Sequence, residues 1–354
     1  MEFGVFYQLP CAKGQSSAQR YDDTIAQTQL AEELGFDAAW LAELHFNPRF
    51  SIMPAPLLLA SAIARVTQRI KIGTAVNLLP LHNPIRLAEE TATLDILSHG
   101  RAIFGIGRGA IASHFEGYGV PLSESRQRFE ETLKIVLKAW TTGEFSYQGQ
   151  YYQFQDTRVV PKPYQQPYPP VYVAANSPDT FDIVGLMGHH LLVAPLIISN
   201  ERAQAGLEVY RQHLSEGGHD PASAKVIVTV PVYVAKDKRK AKAGSTATIN
   251  NYLGSLRDMY LSAAAERAMN VYPRARQARE RLSALNTTKS TTSSRLSATP
   301  ISASHQSVAK LKLFRQMFGP QEFMCWFNTG GLLPHQEVEK SMRLFAEEVM
   351  PHLK

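Results

Sequence analysis

The sequence predicts a parallel α/β fold, a sheet or a barrel, and three observations carry that expectation. Residues 70–109 read as strand, loop, helix, turn and strand, the repeating unit of parallel α/β folds. Strand-like and helix-like segments have alternated four times by Ile106. Eight apolar strand runs can be counted along the 354 residues, and no solenoid period interrupts them.

Taken in order, Phe3–Leu9 is an apolar strand opening into a loop at Cys11–Ser17. Arg20–Leu34 is a helix stopped by Gly35. Asp37–Ala42 is the second strand, with Glu43-Leu44-His45-Phe46 at its C-terminal end, and Pro54–Val66 is the next helix. Ile70–Val76 is strand three. Pro84 suits a first helical turn, apolar residues recur at helical spacing (Ile85, Ala88, Ala92, Ile96), and His99-Gly100 ends that helix. Arg101–Ile106 is strand four and Ser123–Trp140 the following helix. Glu144–Val160 is aromatic and irregular, an excursion carrying a hairpin, and five prolines make Pro161–Pro170 an extended connector. Val171–Ala175, His190–Pro195, Val226–Val234 and Phe323–Phe327 are strands five to eight, and Val338–Val349 is a closing helix.

Gly105-Ile106-Gly107-Arg108-Gly109 has two readings. Glycine lets an anion approach the backbone while Arg108 pairs with it; equally, the strand must stay thin where neighbours crowd it, with Arg108 a solvated charge. The spacing also fits a loose dinucleotide fingerprint, but that motif needs an acidic residue ending a second strand about 20 residues on. Ser125–Trp140 is helical in pattern, which excludes it.

Residues 73–119 resemble the bacterial luciferase-like family of flavin-dependent monooxygenases. The match rests on GTAV at 73–76, Pro-x-Arg-x-Ala-Glu at Pro84–Glu89, Leu-Asp-x-x-Ser-x-Gly-Arg at Leu94–Arg101, and Phe-Gly-x-Gly-Arg-Gly at Phe104–Gly109. The similarity runs from Met1 to about Val234 and returns from about Phe314 to the end. It implies a single TIM-like (β/α)8 barrel over residues 1–354, with an insertion at 236–313 and reduced flavin mononucleotide (FMN) at the C-terminal strand ends. It further implies a separate flavin reductase, dioxygen and a small apolar organic substrate, and a homo-oligomer is expected. A deazaflavin-dependent hydride transfer and a non-catalytic flavin store are the alternatives.

Collecting the strand ends gives Cys11, Glu43, His45, Asn77, Arg108, Asn176, Ser177, Thr180, Pro195 and Asn328 as site candidates. Asn176, Ser177 and Thr180 begin a helix, where backbone N–H and hydroxyl donors suit an anion, although a plain N-cap would look the same. The resemblance implies that these three, with Ala75 and Arg108, bind the flavin. His45 is the acid–base candidate, because imidazole titrates near working pH. The family commonly carries Glu-His-His-Phe at this place, and the first His serves catalysis in the luciferases. Leu44 stands there in this chain and cannot move a proton, so light emission is not expected. Leu44, Phe46, Phe6 and Tyr147–Phe154 are expected to wall a dry pocket.

Other classes are disfavoured. The formal charge of +6 comes largely from Lys236–Lys242 and Arg274–Arg281, which lack interleaved aromatics, so a nucleic-acid partner is not expected. Two cysteines, Cys11 and Cys325, suit a reducing cytosol, and no signal peptide or membrane span is read. Adjacent His189 and His190 on a strand point to opposite faces, so no metal is expected. No Gly-x-Ser-x-Gly, His-Glu-x-x-His or Walker motif occurs.

Between Lys236 and Phe318 the pattern loosens. Ala247–Met269 reads as a helical insertion that could cover the barrel mouth. In Asn286–Gln306, Ser and Thr fill 11 of 21 positions without apolar periodicity, which reads as disordered linker. A shifted reading frame is the sharper account. The Gly-x-Pro motif that the family carries before strand eight is missing, and permitted codons for Leu296–Ser304, read two bases later, encode Ile-Gly-Asn-Pro-Asp-Gln-Cys-Val.

Overall fold

The computed structural model describes residues 1–12, 14–271 and 304–354. Eight parallel strands close into a barrel: β1 (Glu2–Tyr7), β2 (Ala38–Leu41), β3 (Lys71–Thr74), β5 (Ala102–Gly107), β8 (Val171–Ala174), β9 (His190–Val193), β10 (Val226–Pro231) and β11 (Glu322–Trp326). Each overlaps a run read from the sequence, and Glu2, Gly107 and Glu322 lie one residue outside those runs. The ring closes because β1 pairs β11 (Val5 beside Cys325) while β3 pairs β5 (Gly73 beside Ile103). A two-residue strand, β4 (Asn77–Leu78), extends the edge of β5. Burial on both faces explains why strands such as β5 are continuous apolar runs rather than alternating ones.

Helices α1 (Ser17–Glu33), α2 (Pro56–Val66), α3 (Pro84–Leu97), α5 (Ser125–Thr141), α6 (Pro178–Met187), α7 (Asn200–Glu216), α10 (Ser304–Phe318) and α11 (His335–Glu348) follow the successive barrel strands. The motifs around α3 are structural. Asn83 accepts from the Ile85 and Arg86 N–H groups and caps the helix. Beyond its end, Arg101 donates to the carbonyls of Ala64, Thr67, Ile70 and Ser98, tying α2 and β3 to the start of β5.

The barrel interior packs Trp40, Ile103, Tyr172, Leu192, Ile227 and Met324. A Cβ at Gly4 or Gly73 would strike the Trp40 ring, so both glycines make room for that indole. Its Nε1–H donates 2.7 Å to buried Glu322, a carboxyl whose burial pushes it up to about 8.

The short α4 (Ala112–Gly117) precedes α5, and the aromatic excursion is a hairpin of β6 (Phe145–Gln148) and β7 (Gln153–Thr157). Among the described residues the insertion after β10 contains α8 (Lys238–Tyr260) and α9 (Ala263–Val271), with a break at 261–262 where the sequence reads one helix running on to Met269. Most of Asn286–Gln306 lies outside the described residues; its last three open α10. Among the described residues no helix is long and apolar enough to cross a membrane.

Candidate active site

A cavity of about 900 Å³ opens at the C-terminal strand ends. Its wall differs in character from one side to the other, because strands β5 and β8 lie across the barrel from β11 and β1.

The β5/β8 side is polar. Arg108 follows β5, half-buried, and makes no hydrogen bond or ion pair among the described residues. Opposite it α6 begins at Ser177, whose extended backbone (φ −141°, ψ 147°) is that of an N-cap while its side chain caps nothing. The Ser177 hydroxyl instead meets that of Thr180 at 2.9 Å, and both residues line the cavity with exposed Asn176. Arg202, exposed in the first turn of α7, adds a second cation. A guanidinium without a partner among the described residues, two hydroxyls and a helix N-terminus on one side of the cavity are the donors that an anion requires. The glycine readings divide accordingly. A Cβ on Gly105 would fall on the Thr74 carbonyl and one on Gly107 on the Val76 side chain, so these two keep the strand thin. Gly109, at φ +76°, turns the chain beside Arg108.

The β11/β1/β2 side is apolar: Phe6, Leu44, Phe50 and Trp326, roofed by Tyr252, Leu256 and Tyr260 of α8. These three share one helical face at a spacing of four. Backbone contact fixes α8 above β11: a Cβ on Gly330 would strike the Thr248 carbonyl, and Asn251 donates 2.7 Å to the Gly330 carbonyl. Ala75, Ala174, Leu192, Thr229 and Met324 form the floor.

Glu43 also reaches the cavity, at the head of a buried network. Its carboxylate accepts from the Leu78 N–H (2.9 Å) and bonds His45 Nε2 (2.9 Å) and His82 Nε2 (2.8 Å). Burial opposes the charge on Glu43, but the His45 and His82 hydrogen bonds, the His82 charge and the Leu78 N–H overcome it and hold the group down to about 2. His82 is correspondingly raised: burial disfavours its charge, and the bond and charge of Glu43 win. Behind them His114, driven to about 4 by burial and by neighbouring His45, accepts from the His45 backbone N–H at 3.3 Å.

The family model described as luciferase-like monooxygenase matches residues 1–316. The chain belongs to the luciferase-like monooxygenase family. It is 30% identical over 260 residues to the oxygenase component of a flavin-dependent trigonelline monooxygenase from Acinetobacter baylyi, covering 72% of this chain and 71% of that one. It is 28% identical to an alkanal monooxygenase alpha chain of Photorhabdus luminescens, over 100% of this chain and 97% of the other. The monooxygenase RslO1 of Streptomyces bottropensis shares the fold, with a TM-score of 0.82, 24% identity and full coverage of both chains.

Within this family member, the cavity brings together Glu43, Ala75, Arg108, Asn176, Ser177 and Thr180 of the residues singled out from sequence. It does not bring in Cys11, Asn77, Pro195 or Asn328; the Asn77 amide, for instance, is spent on Thr74 Oγ1 at 3.0 Å. His45 is 4% exposed and lies behind Glu43, packed on His114 and Tyr118, so it does not face the cavity as an acid or base. Two expected wall elements lie elsewhere. Phe46 turns outward at φ 62° and covers Gly117, and the hairpin docks on α5, where Glu131 accepts from the Tyr151 and Tyr152 N–H groups. Sequence reasoning set the insertion over the barrel mouth without naming its face, although the period of four in Tyr252, Leu256 and Tyr260 was present to be read, and it missed Gln8, Arg202 and Trp326. Among the described residues no group of acidic, His or Cys side chains could hold a metal.

Proposed function

We propose that this chain is the oxygenase component of a two-component system: it binds reduced FMN from a separate reductase and uses dioxygen to oxygenate a small apolar organic compound. The observation that supports it most is Arg108, a half-buried cation with no partner among the described residues, on the same side of the cavity as Ser177 and Thr180 while the far wall is largely apolar. Arg108, Ser177 and Thr180 would grip the phosphate, with Asn176 at the rim and Ala75 in the floor beneath the ring. Reduced flavin supplies the electrons with which dioxygen is activated. Leu44, Phe6, Trp326 and the α8 roof exclude water, the condition such chemistry needs. His45 acts as a positioning residue that orients Glu43. The trigonelline relative, named as an oxygenase component, supports a reductase partner.

Anaerobic titration with reduced FMN, followed by an air pulse, tests the reading. Saturable binding and oxygen consumption that becomes coupled to a product support it. Preference for a reduced deazaflavin without oxygen uptake assigns hydride transfer instead, and tight flavin binding without turnover assigns a store.

A further inference from the structure

The apolar side of the cavity carries polar atoms that the flavin reading leaves unused. Gln8, at the end of β1, is 4% exposed, lines the cavity, and its carboxamide has no hydrogen-bond partner among the described residues. Tyr252 is likewise 4% exposed and lines the cavity with an unpartnered hydroxyl, and the Tyr260 hydroxyl, one step further along the same face, has no partner either. Gln8 and Tyr252 are nearly buried and Tyr260 half-buried, and their unpaired polar atoms open onto one space, so a ligand with a polar atom there would complete them. The rings around them are ordered. Phe50 stacks on Tyr252 (5.4 Å between centroids, 19° between planes), and the Trp326 ring stands edge-on to Tyr252 at 4.8 Å and to Phe6 at 5.1 Å. Such a set presents faces and edges to a flat partner.

We infer that this end is a subsite for an uncharged aromatic substrate bearing a carbonyl or hydroxyl group, its ring against Trp326 and Phe6 and its polar atom on Gln8 and Tyr252. The inference rests on the flavin reading only for the word substrate; the subsite stands without it. An unbranched aliphatic chain would fit the apolar wall but leave Gln8 and both tyrosines unpaired. An anion would meet the Glu43 carboxylate on this side and has its own site at Arg108, across the barrel.

Calorimetric titration of the flavin-free protein with 2-acetonaphthone, 2-ethylnaphthalene and 2-decanone separates the possibilities. The aryl ketone is expected to bind about a hundredfold more tightly than 2-ethylnaphthalene, which lacks the carbonyl and so both hydrogen bonds at about tenfold each, and about tenfold more tightly than 2-decanone, which keeps the carbonyl but not the ring. Gln8→Leu and Tyr252→Phe should each erase about tenfold of ketone affinity while 2-ethylnaphthalene is unaffected. FMN affinity should also be unchanged in both variants, which doubles as a check that they fold. Equal binding of the ketone and the hydrocarbon, 2-decanone binding as well as the ketone, or variants that weaken all three ligands alike would overturn the inference. Failure of FMN to bind with ketone binding intact would overturn the flavin reading alone.

Discussion

Replacing Arg108 by alanine tests the anion site most directly, because the structure gives that guanidinium nothing else to do. It is half-buried, follows β5 immediately, and pairs with no acid among the described residues; the nearby acid on α6, Asp179, is engaged by Arg126 at 3.7 Å. A charge-assisted bond of this kind contributes about 1.5–3 kcal/mol. The α6 terminus, which survives the substitution, contributes no more than about 1 kcal/mol, and exposed Arg202 is screened by salt. Arg108→Ala should therefore weaken FMN by about 2–3 kcal/mol, roughly 30- to 150-fold in Kd. Riboflavin has no phosphate and should lose less than about threefold. Quenching of flavin fluorescence, titrated for both ligands at low and physiological salt, reads the difference. Equal weakening of FMN and riboflavin would refute the assignment of Arg108 to the phosphate.

Leu44→His places an imidazole on the cavity wall two strands round the barrel from Arg108. It should change the stopped-flow oxygen reaction of the bound reduced flavin while FMN affinity stays within about threefold, and an unchanged trace would show that residue 44 does not meet the reacting face. Glu43→Gln removes a carboxylate held at about 2 against its ordinary 4.5, a loss on the order of 3 kcal/mol in chemical denaturation. That contribution is complete above pH 4.5 and vanishes as pH falls through 2, and the part owed to His82 fades as pH rises through its raised value. The wild-type and variant curves should therefore converge in acid, and parallel curves would count against the network. Glu322 has the opposite sign: burial raises it to about 8, so the folded state holds a proton that the unfolded chain has released above 4.5, and stability falls between those values. Glu322→Gln should match wild type near pH 4 and exceed it by on the order of 3 kcal/mol at pH 7, and an advantage that does not vary with pH would refute the cause given.

The barrel was legible because its strands are short, largely apolar runs and some of its helices carry their own stop signal, as at Gly35 and Gly100. These are local properties. That Arg108 and Ser177–Thr180 share one cavity was legible for a related reason: they stand directly after strands, and strand ends of a parallel barrel converge. What was not legible depends on direction. Glu43, Leu44 and His45 are adjacent, yet only the first two face the cavity, because the chain leaves β2 at Leu41 and turns at Phe46, where φ is 62°. The aromatic content of residues 147–154 foretold packing but not the surface packed against, which proved to be α5. The insertion's place over the mouth was legible, but the face it turns inward was not, because that is set by Gly330, 79 residues beyond Asn251, which donates to its carbonyl.

The distribution of protons along the wall limits what this site can do by itself. Glu43 reaches the cavity already ionised and tied into two imidazoles, so at neutral pH it has no proton to give, and taking one would break the bonds that hold it down. His82, whose hold on a proton Glu43 strengthens, stands behind that carboxylate, and Leu44 occupies the place where an acid–base side chain would face the space. Tyr252 and Tyr260 are raised by burial, so both remain neutral donors across the physiological range. A wall of this composition positions and dries its contents more readily than it transfers protons to them. The cavity therefore asks for a reaction whose protons come from the bound reagents themselves, with Arg108 anchoring one end and the α8 roof deciding what may lie at the other.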